Sequence, residues 1–159
     1  MRLIRKWLTA GVQEDGQVIR RAKGTPQGAV ISPVLANIYL HYVFDLWVNT
    51  WRKRRAYGDV VVIRYADDTV LGFQYERDAY TFRQALAGRL AKFGLDLHPG
   101  RTRLIQFGRF ASAKRRQWGL GKPETFEFLG FTHCCTRSRQ NGWFKIGRVT
   151  SHKRLRAQL

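Results

Sequence analysis

The chain has 159 residues, enough to bury the core of one domain, and at 44% hydrophobic and 13% aromatic residues it is not a disordered tail. With 29 basic and 11 acidic side chains the net charge is +18, so the partner to expect is a polyanion, and nucleic acid before any other. No apolar stretch has signal-peptide or membrane-spanning length, so the sequence reads as cytoplasmic with no membrane partner.

Residues 2–10 place Leu3, Ile4, Trp7 and Leu8 on one face and stop at Gly11, the pattern of a short amphipathic helix. Residues 12–21 predict a loop or hairpin turning near Glu14-Asp15-Gly16. Gly24-Thr25-Pro26-Gln27-Gly28 is a tight loop, and it leads to Ser32, a natural N-cap, and Pro33, which suits a first helical position. A helix is predicted from about Pro33 to Trp51, with Leu35, Ile38, Tyr42, Val43 and Leu46 as its buried stripe. Its basic end, Arg52-Lys53-Arg54-Arg55, suits a helix C-terminus and offers phosphate contacts.

Val60 to Phe73 organises the rest. Two short β-branched runs flank Tyr65-Ala66-Asp67-Asp68 and predict a hairpin. Its turn sets two carboxylates side by side, where mutual repulsion opposes ionisation of both unless a cation joins them. Hard oxygen ligands on a tight turn suit Mg²⁺, which takes one or two carboxylates and fills its shell with water and substrate phosphates. An ordinary Asp-rich turn is the plainer alternative.

Residues 78–93 predict a second amphipathic helix, with Ala79, Phe82, Leu86, Leu90 and Phe93 at helical spacing and Gly94 at its end. Thr102 to Phe107 reads as a strand, and residues 111–122 as a basic, glycine-bearing loop. Phe126 to Thr132 predicts a strand pair, or one strand bulged at Gly130, and a hairpin follows around Gln140-Asn141-Gly142. Cys134 and Cys135 are adjacent and read as reduced, structural thiols. Basic excess concentrates late: residues 101–159 hold 14 basic and 2 acidic groups, against 15 and 9 before them.

Capped helix, acidic hairpin, helix and strand make most of a βαββαβ split fold with its first strand absent, an α+β class. On such a sheet the carboxylates border a cleft, where two divalent ions ~3.5–4 Å apart activate a hydroxyl and stabilise a pyrophosphate leaving group. Metal-dependent nucleotidyl transfer is thereby favoured over a plain RNA-binding domain.

Gly24-Thr-Pro-Gln-Gly28 running into Val30-Ile-Ser-Pro-Val-Leu-Ala-Asn-Ile-Tyr-Leu-His41, then Arg64-Tyr-Ala-Asp-Asp68, resembles a group II intron reverse transcriptase, the intron-encoded maturase. Leu95-Asp-Leu-His-Pro99 and Phe126-Glu-Phe-Leu-Gly-Phe131 resemble the next two blocks of that family, in the right order. His98-Pro99 and Gly121-Lys-Pro-Glu-Thr125 look most like the bacterial class C introns, which insert near terminators. The resemblance implies a reverse-transcriptase palm, a ferredoxin-like (RRM-like) antiparallel sheet with two helices, and an RNA-directed DNA polymerase that uses intron RNA template, DNA primer and dNTPs. Residues 1–132 are then a partial palm, and residues 133–159 a basic hairpin with the start of the thumb or maturase region.

It further implies Mg²⁺ at Asp67 and Asp68 as the catalytic carboxylates, Tyr65 by the primer 3′ end and Ala66 near the incoming nucleotide. Pro26, Gln27 and Gly28 would border the nucleotide pocket, and Phe128, Leu129 and Gly130 would steady the primer strand. Three departures follow. The block with the third metal-binding carboxylate, like the fingers, is not in the chain; the chain stops as the thumb begins; and Gly100-Arg101 replaces the usual acidic residue and lysine. Arg101 neutralises charge at the substrate but is a poor proton donor to pyrophosphate. The expectation is a fragment inactive by itself, which an upstream fingers-palm fragment would complete. The alternatives are a non-catalytic palm remnant that grips intron RNA and an inert decayed product.

Overall fold

The computed structural model describes Arg2, Arg5, Lys6 and residues 12–14, 17–19 and 32–151. Arg2, Arg5 and Lys6 are helical, but the remainder of the expected first helix, and residues 20–31 with the Gly24–Gly28 loop, lie outside the described residues. The chain forms two compact units, Met1–Asp96 and Leu97–Leu159. Each mixes helix with antiparallel sheet, as the α+β expectation requires at that level.

In the first unit, β1 (Val12–Glu14) pairs with β2 (Gln17–Ile19) as the anticipated hairpin. Helix α1 (Ser32–Leu40) begins beside Pro33, whose missing N–H and fixed φ cost nothing in a first turn. It does not continue as a uniform α-helix. His41–Asp45 forms a π-helical segment, in which the Leu46 N–H reaches back to the His41 carbonyl, and only then does α2 (Leu46–Arg54) resume.

This segment corrects the expected buried stripe. Ile38, Tyr42 and Leu46 are about half exposed, at 51%, 63% and 47%, while Val43, Phe44, Val48 and Trp51 are buried. A period of 3.6 residues does not carry through a turn that accommodates one more, so the buried line steps from half-buried Leu35 to Leu40 before reaching Val43 and Phe44. The wide turn is clipped from outside: Arg89 donates through Nε to the Val43 carbonyl at 3.0 Å and through Nη2 to the Tyr42 carbonyl at 3.3 Å.

β3 (Val60–Tyr65) pairs antiparallel with β4 (Asp68–Phe73), in register from Val60 opposite Phe73 to Tyr65 opposite Asp68. Helix α3 (Glu76–Ala91) follows after two residues, and Gly94, at φ 68°, lets the Leu95 N–H return to the Leu90 carbonyl. Ala79, Phe82, Leu86 and Leu90 are buried as the periodicity predicts, whereas Phe93 is 37% exposed and instead meets Tyr39, whose hydroxyl donates to the Phe93 carbonyl at 2.8 Å. Phe82 is the hub of the core. Its ring centroid lies 4.9 Å from Trp51, 5.3 Å from Phe73 and 5.5 Å from Trp47, which fixes α2, β4 and α3 together.

The second unit is a three-stranded antiparallel sheet, β5 (Phe126–Phe128), β6 (Phe131–Arg137) and β7 (Phe144–Thr150), in that spatial order. The strand pair was predicted, and its two-residue turn at Leu129 and Gly130 has positive φ at both positions, 53° and 79°, the signs of a type I′ turn. Cys134 and Cys135 are free thiols, because neighbours on one strand point to opposite faces. Two expectations fail here. Residues 102–107 take no regular structure and pair with no strand among the described residues; Phe107 packs on the Phe126 ring at 5.1 Å instead. The predicted loop at 111–122 opens with a short helix, α4 (Ala111–Gln117), which exposes most of its side chains and so leaves no periodic apolar signal.

Candidate active site

The β3–β4 turn holds four of the residues singled out from sequence. Tyr65 closes β3, Ala66 and Asp67 make the turn, and Asp68 opens β4. Tyr65 is 64% exposed and both carboxylates face solvent. Ala66 stands at φ 52°, the left-handed region that residues with a Cβ seldom occupy. Asp67 has no such angle, so the φ signs are those of a type II′ turn, usually built on glycine at its first position.

Strand alternation sorts the hairpin into two faces. Val60, Val62, Leu71 and Phe73 lie toward α2 and α3, through the contacts of the Phe73 ring with Trp51 and Phe82. Val61, Ile63, Tyr65, Asp68, Val70 and Gly72 lie on the other face, where Val61 and Ile63 are 59% and 51% exposed.

Arg64 belongs to the inner face, and its side chain is only 15% exposed. Nε and Nη2 donate to the two carboxylate oxygens of Asp45 at 2.8 and 2.6 Å, a bidentate pair. Nη1 donates to Asn37 Oδ1 at 2.7 Å and to the Ala66 carbonyl at 2.8 Å. The hydrogen bonds and charge of Arg64 hold the Asp45 carboxyl below the ordinary carboxylate range against the opposing effect of burial, and Asp45 raises Arg64 in return. His41 Nδ1 stands 3.5 Å from the same carboxylate. In the sequence Arg64 and Asn37 stand out only as members of longer motifs, and Asp45 does not stand out at all. The available signal was a charged residue inside a short apolar strand.

The remaining candidates are not part of this turn. Pro26, Gln27 and Gly28 lie outside the described residues. Arg101 is exposed in a turn whose N–H groups, its own and that of Thr102, donate to the His98 carbonyl. Phe128 ends β5 half-buried, Leu129 is 45% exposed, and Gly130 accepts a hydrogen bond from Ser151 N–H at 3.0 Å. Among the described residues no group of three or more His, Cys, Asp or Glu side chains converges as a metal cage. The turn offers two exposed carboxylates, which suits Mg²⁺ held partly by water and phosphate rather than an all-protein site. No helix among the described residues is long and apolar enough to cross a membrane.

The β3–β4 turn thus displays two adjacent, exposed aspartates at the tip of a strand–turn–strand. The family model described as reverse transcriptase (RNA-dependent DNA polymerase) matches residues 1–133, and the chain belongs to that family. It is similar to the group II intron-encoded protein LtrA of Lactococcus lactis subsp. cremoris, 56% identical over 39 residues, which are 24% of this chain and 6% of that protein. It is also similar to a 91 kDa protein in the cob intron of Schizosaccharomyces pombe, 51% identical over 49 residues, 31% of this chain and 6% of that protein. Each match thus spans a small part of a much longer relative.

Proposed function

We propose that this chain carries the palm of an RNA-directed DNA polymerase of the group II intron type, adding dNTPs to a DNA primer on an intron RNA template. The carrying observation is the β3–β4 turn, which presents Asp67 and Asp68 to solvent next to Tyr65 in a chain of the reverse transcriptase family. Asp67 and Asp68 are the residues to hold Mg²⁺, which when bound lowers the pKa of a coordinated hydroxyl and neutralises phosphate charge. Tyr65 supports the primer terminus, and Ala66 borders the nucleotide. Pro26, Gln27 and Gly28 shape the nucleotide pocket, with Gly28 leaving room that a side chain would fill. Phe128, Leu129 and Gly130 steady the primer strand, and Arg101 balances phosphate charge. Residues 1–132 form the palm portion in this reading and residues 133–159 lead toward the thumb.

Residues 1–159 alone bind template and primer but do not extend. Asp67 and Asp68 have no third acidic or histidine partner among the described residues, and two-ion transfer needs a further carboxylate. The test is primer extension on an RNA template with Mg²⁺, first with residues 1–159 and then with an added fingers-palm segment from a related enzyme. Extension only in the mixture supports the reading. Extension by residues 1–159 alone shows them to be self-sufficient.

A second reading, a palm that grips intron RNA without polymerising, is favoured by residues 101–159, where 14 basic groups accompany exposed Trp118 and Trp143. Binding without extension in either arm selects it.

A further inference from the structure

We propose that Asp45 and Arg64 are positioning residues for the carboxylate turn, joined in a relay that runs from the π-helical segment through the Arg64 guanidinium to the Ala66 carbonyl. The proposal rests on the reading of Asp67 and Asp68 as the cation-holding pair.

The geometry is specific. An arginine whose only task was to neutralise Asp45 would leave Nη1 to solvent. Here Nη1 is shared between Asn37 Oδ1 and the Ala66 carbonyl, 2.7 and 2.8 Å away, while Nε and Nη2 are fixed on Asp45. A planar fork held on three sides cannot rotate, so its remaining bond dictates where the Ala66 carbonyl lies. That carbonyl belongs to the residue at φ 52°, a conformation alanine does not keep unaided. Asp67 and Asp68 follow directly in the chain, so the direction in which they leave the turn depends on the same bond.

The π segment explains how two residues of one helix reach one guanidinium. Asn37 and Asp45 are eight residues apart, which in an α-helix of 3.6 residues per turn leaves them about 80° out of line. A turn with i→i+5 bonding takes up the excess residue and brings both onto the Arg64 side. Arg89, donating to the Tyr42 and Val43 carbonyls, holds that turn open from α3.

The test uses residues 1–159 and two readouts that do not depend on catalysis: backbone amide shifts of residues 66–69, and the Mn²⁺ concentration at which the Asp67 and Asp68 amides broaden. Arg64→Lys keeps the charge and loses the fork; Asp45→Asn loses the anchor; Asn37→Ala loosens one Nη1 bond and spares the ion pair. The first two are expected to displace the amide shifts and raise the Mn²⁺ midpoint about tenfold, as for other residues that orient metal ligands indirectly. Asn37→Ala is expected to act in the same direction by less, and it serves if the others do not fold. The exchanged pair, Asp45→Arg with Arg64→Asp, is expected to regain melting temperature but not the Mn²⁺ midpoint, because aspartate cannot donate to the Ala66 carbonyl. Glu124→Gln, which breaks the Arg103 and Arg115 contacts, is the control that changes neither. Wild-type shifts and midpoint in Arg64→Lys and Asp45→Asn overturn the proposal. Absence of Mn²⁺ broadening in the wild type refutes the cation reading, and the amide shifts still decide the positioning role.

Discussion

One carboxylate oxygen of Asp78, Oδ2, accepts the backbone N–H of Gly58 at 3.0 Å and that of its neighbour Tyr57 at 2.9 Å, although Asp78 is only 2% exposed. The bond ties the first turn of α3 to the loop that launches β3. The helix N-terminus favours the charge, and the backbone amides satisfy it. Asp78→Ala orphans two amides and is expected to cost about 2–4 kcal/mol, with Asp78→Asn costing less. Urea unfolding checks this, and an unchanged midpoint for Asp78→Ala argues against a structural role.

The aromatic hub makes a second prediction. Phe82 meets Trp47, Trp51 and Phe73, so Phe82→Ala is expected to cost about 3–5 kcal/mol, whereas Phe82→Leu costs appreciably less. Thermal melts of both variants test the order.

Acid should act on the first unit through Asp45. Its carboxyl is held below the ordinary range chiefly by hydrogen bonding to Arg64, so the pair stabilises the fold at neutral pH. That contribution is lost as pH falls below the ordinary carboxylate value, about 3.9, and through the lowered native one. Melting temperature followed from pH 7 to pH 2 is expected to fall more steeply at the acid end for wild type than for Asp45→Asn.

In the second unit, a Cβ on Gly147 would stand 2.7 Å from Cys134 Sγ and 3.2 Å from Thr136 Cγ2. Gly147→Ala is therefore expected to cost about 1–3 kcal/mol through overpacking. Made in a Cys134→Ala background, the same change is expected to cost less, and a double-mutant cycle on denaturation midpoints measures the difference.

These tests bear on elements that sequence made visible to different degrees. The hairpin and α3 are legible because the β-branched runs flanking Tyr65–Asp68 and the helical spacing from Ala79 to Leu90 survive into the structure. The π segment is not, since a pattern of one period cannot register an added residue, and Ile38, Tyr42 and Leu46 therefore lie exposed where that period would bury them. Residues 102–107 have strand composition, but a strand exists only with a ladder partner, and partners are not written locally. Of the candidate site, the paired aspartates are plain in Tyr65-Ala66-Asp67-Asp68. The brace behind them was hidden, because Arg64 finds Asp45 and Asn37 across 19 and 27 residues of sequence.

In the proposed function Asp67 is the working carboxylate of a nucleotidyl-transfer site. The most direct test of that role is single-nucleotide incorporation in Mg²⁺ by residues 1–159 supplemented with a fingers-palm segment, comparing wild type with Asp67→Asn at equal occupancy of template and primer. Loss of the charge that holds the cation is expected to slow incorporation by about 10³-fold or more while template–primer affinity stays within a few-fold. Incorporation by Asp67→Asn at the wild-type rate contradicts the account.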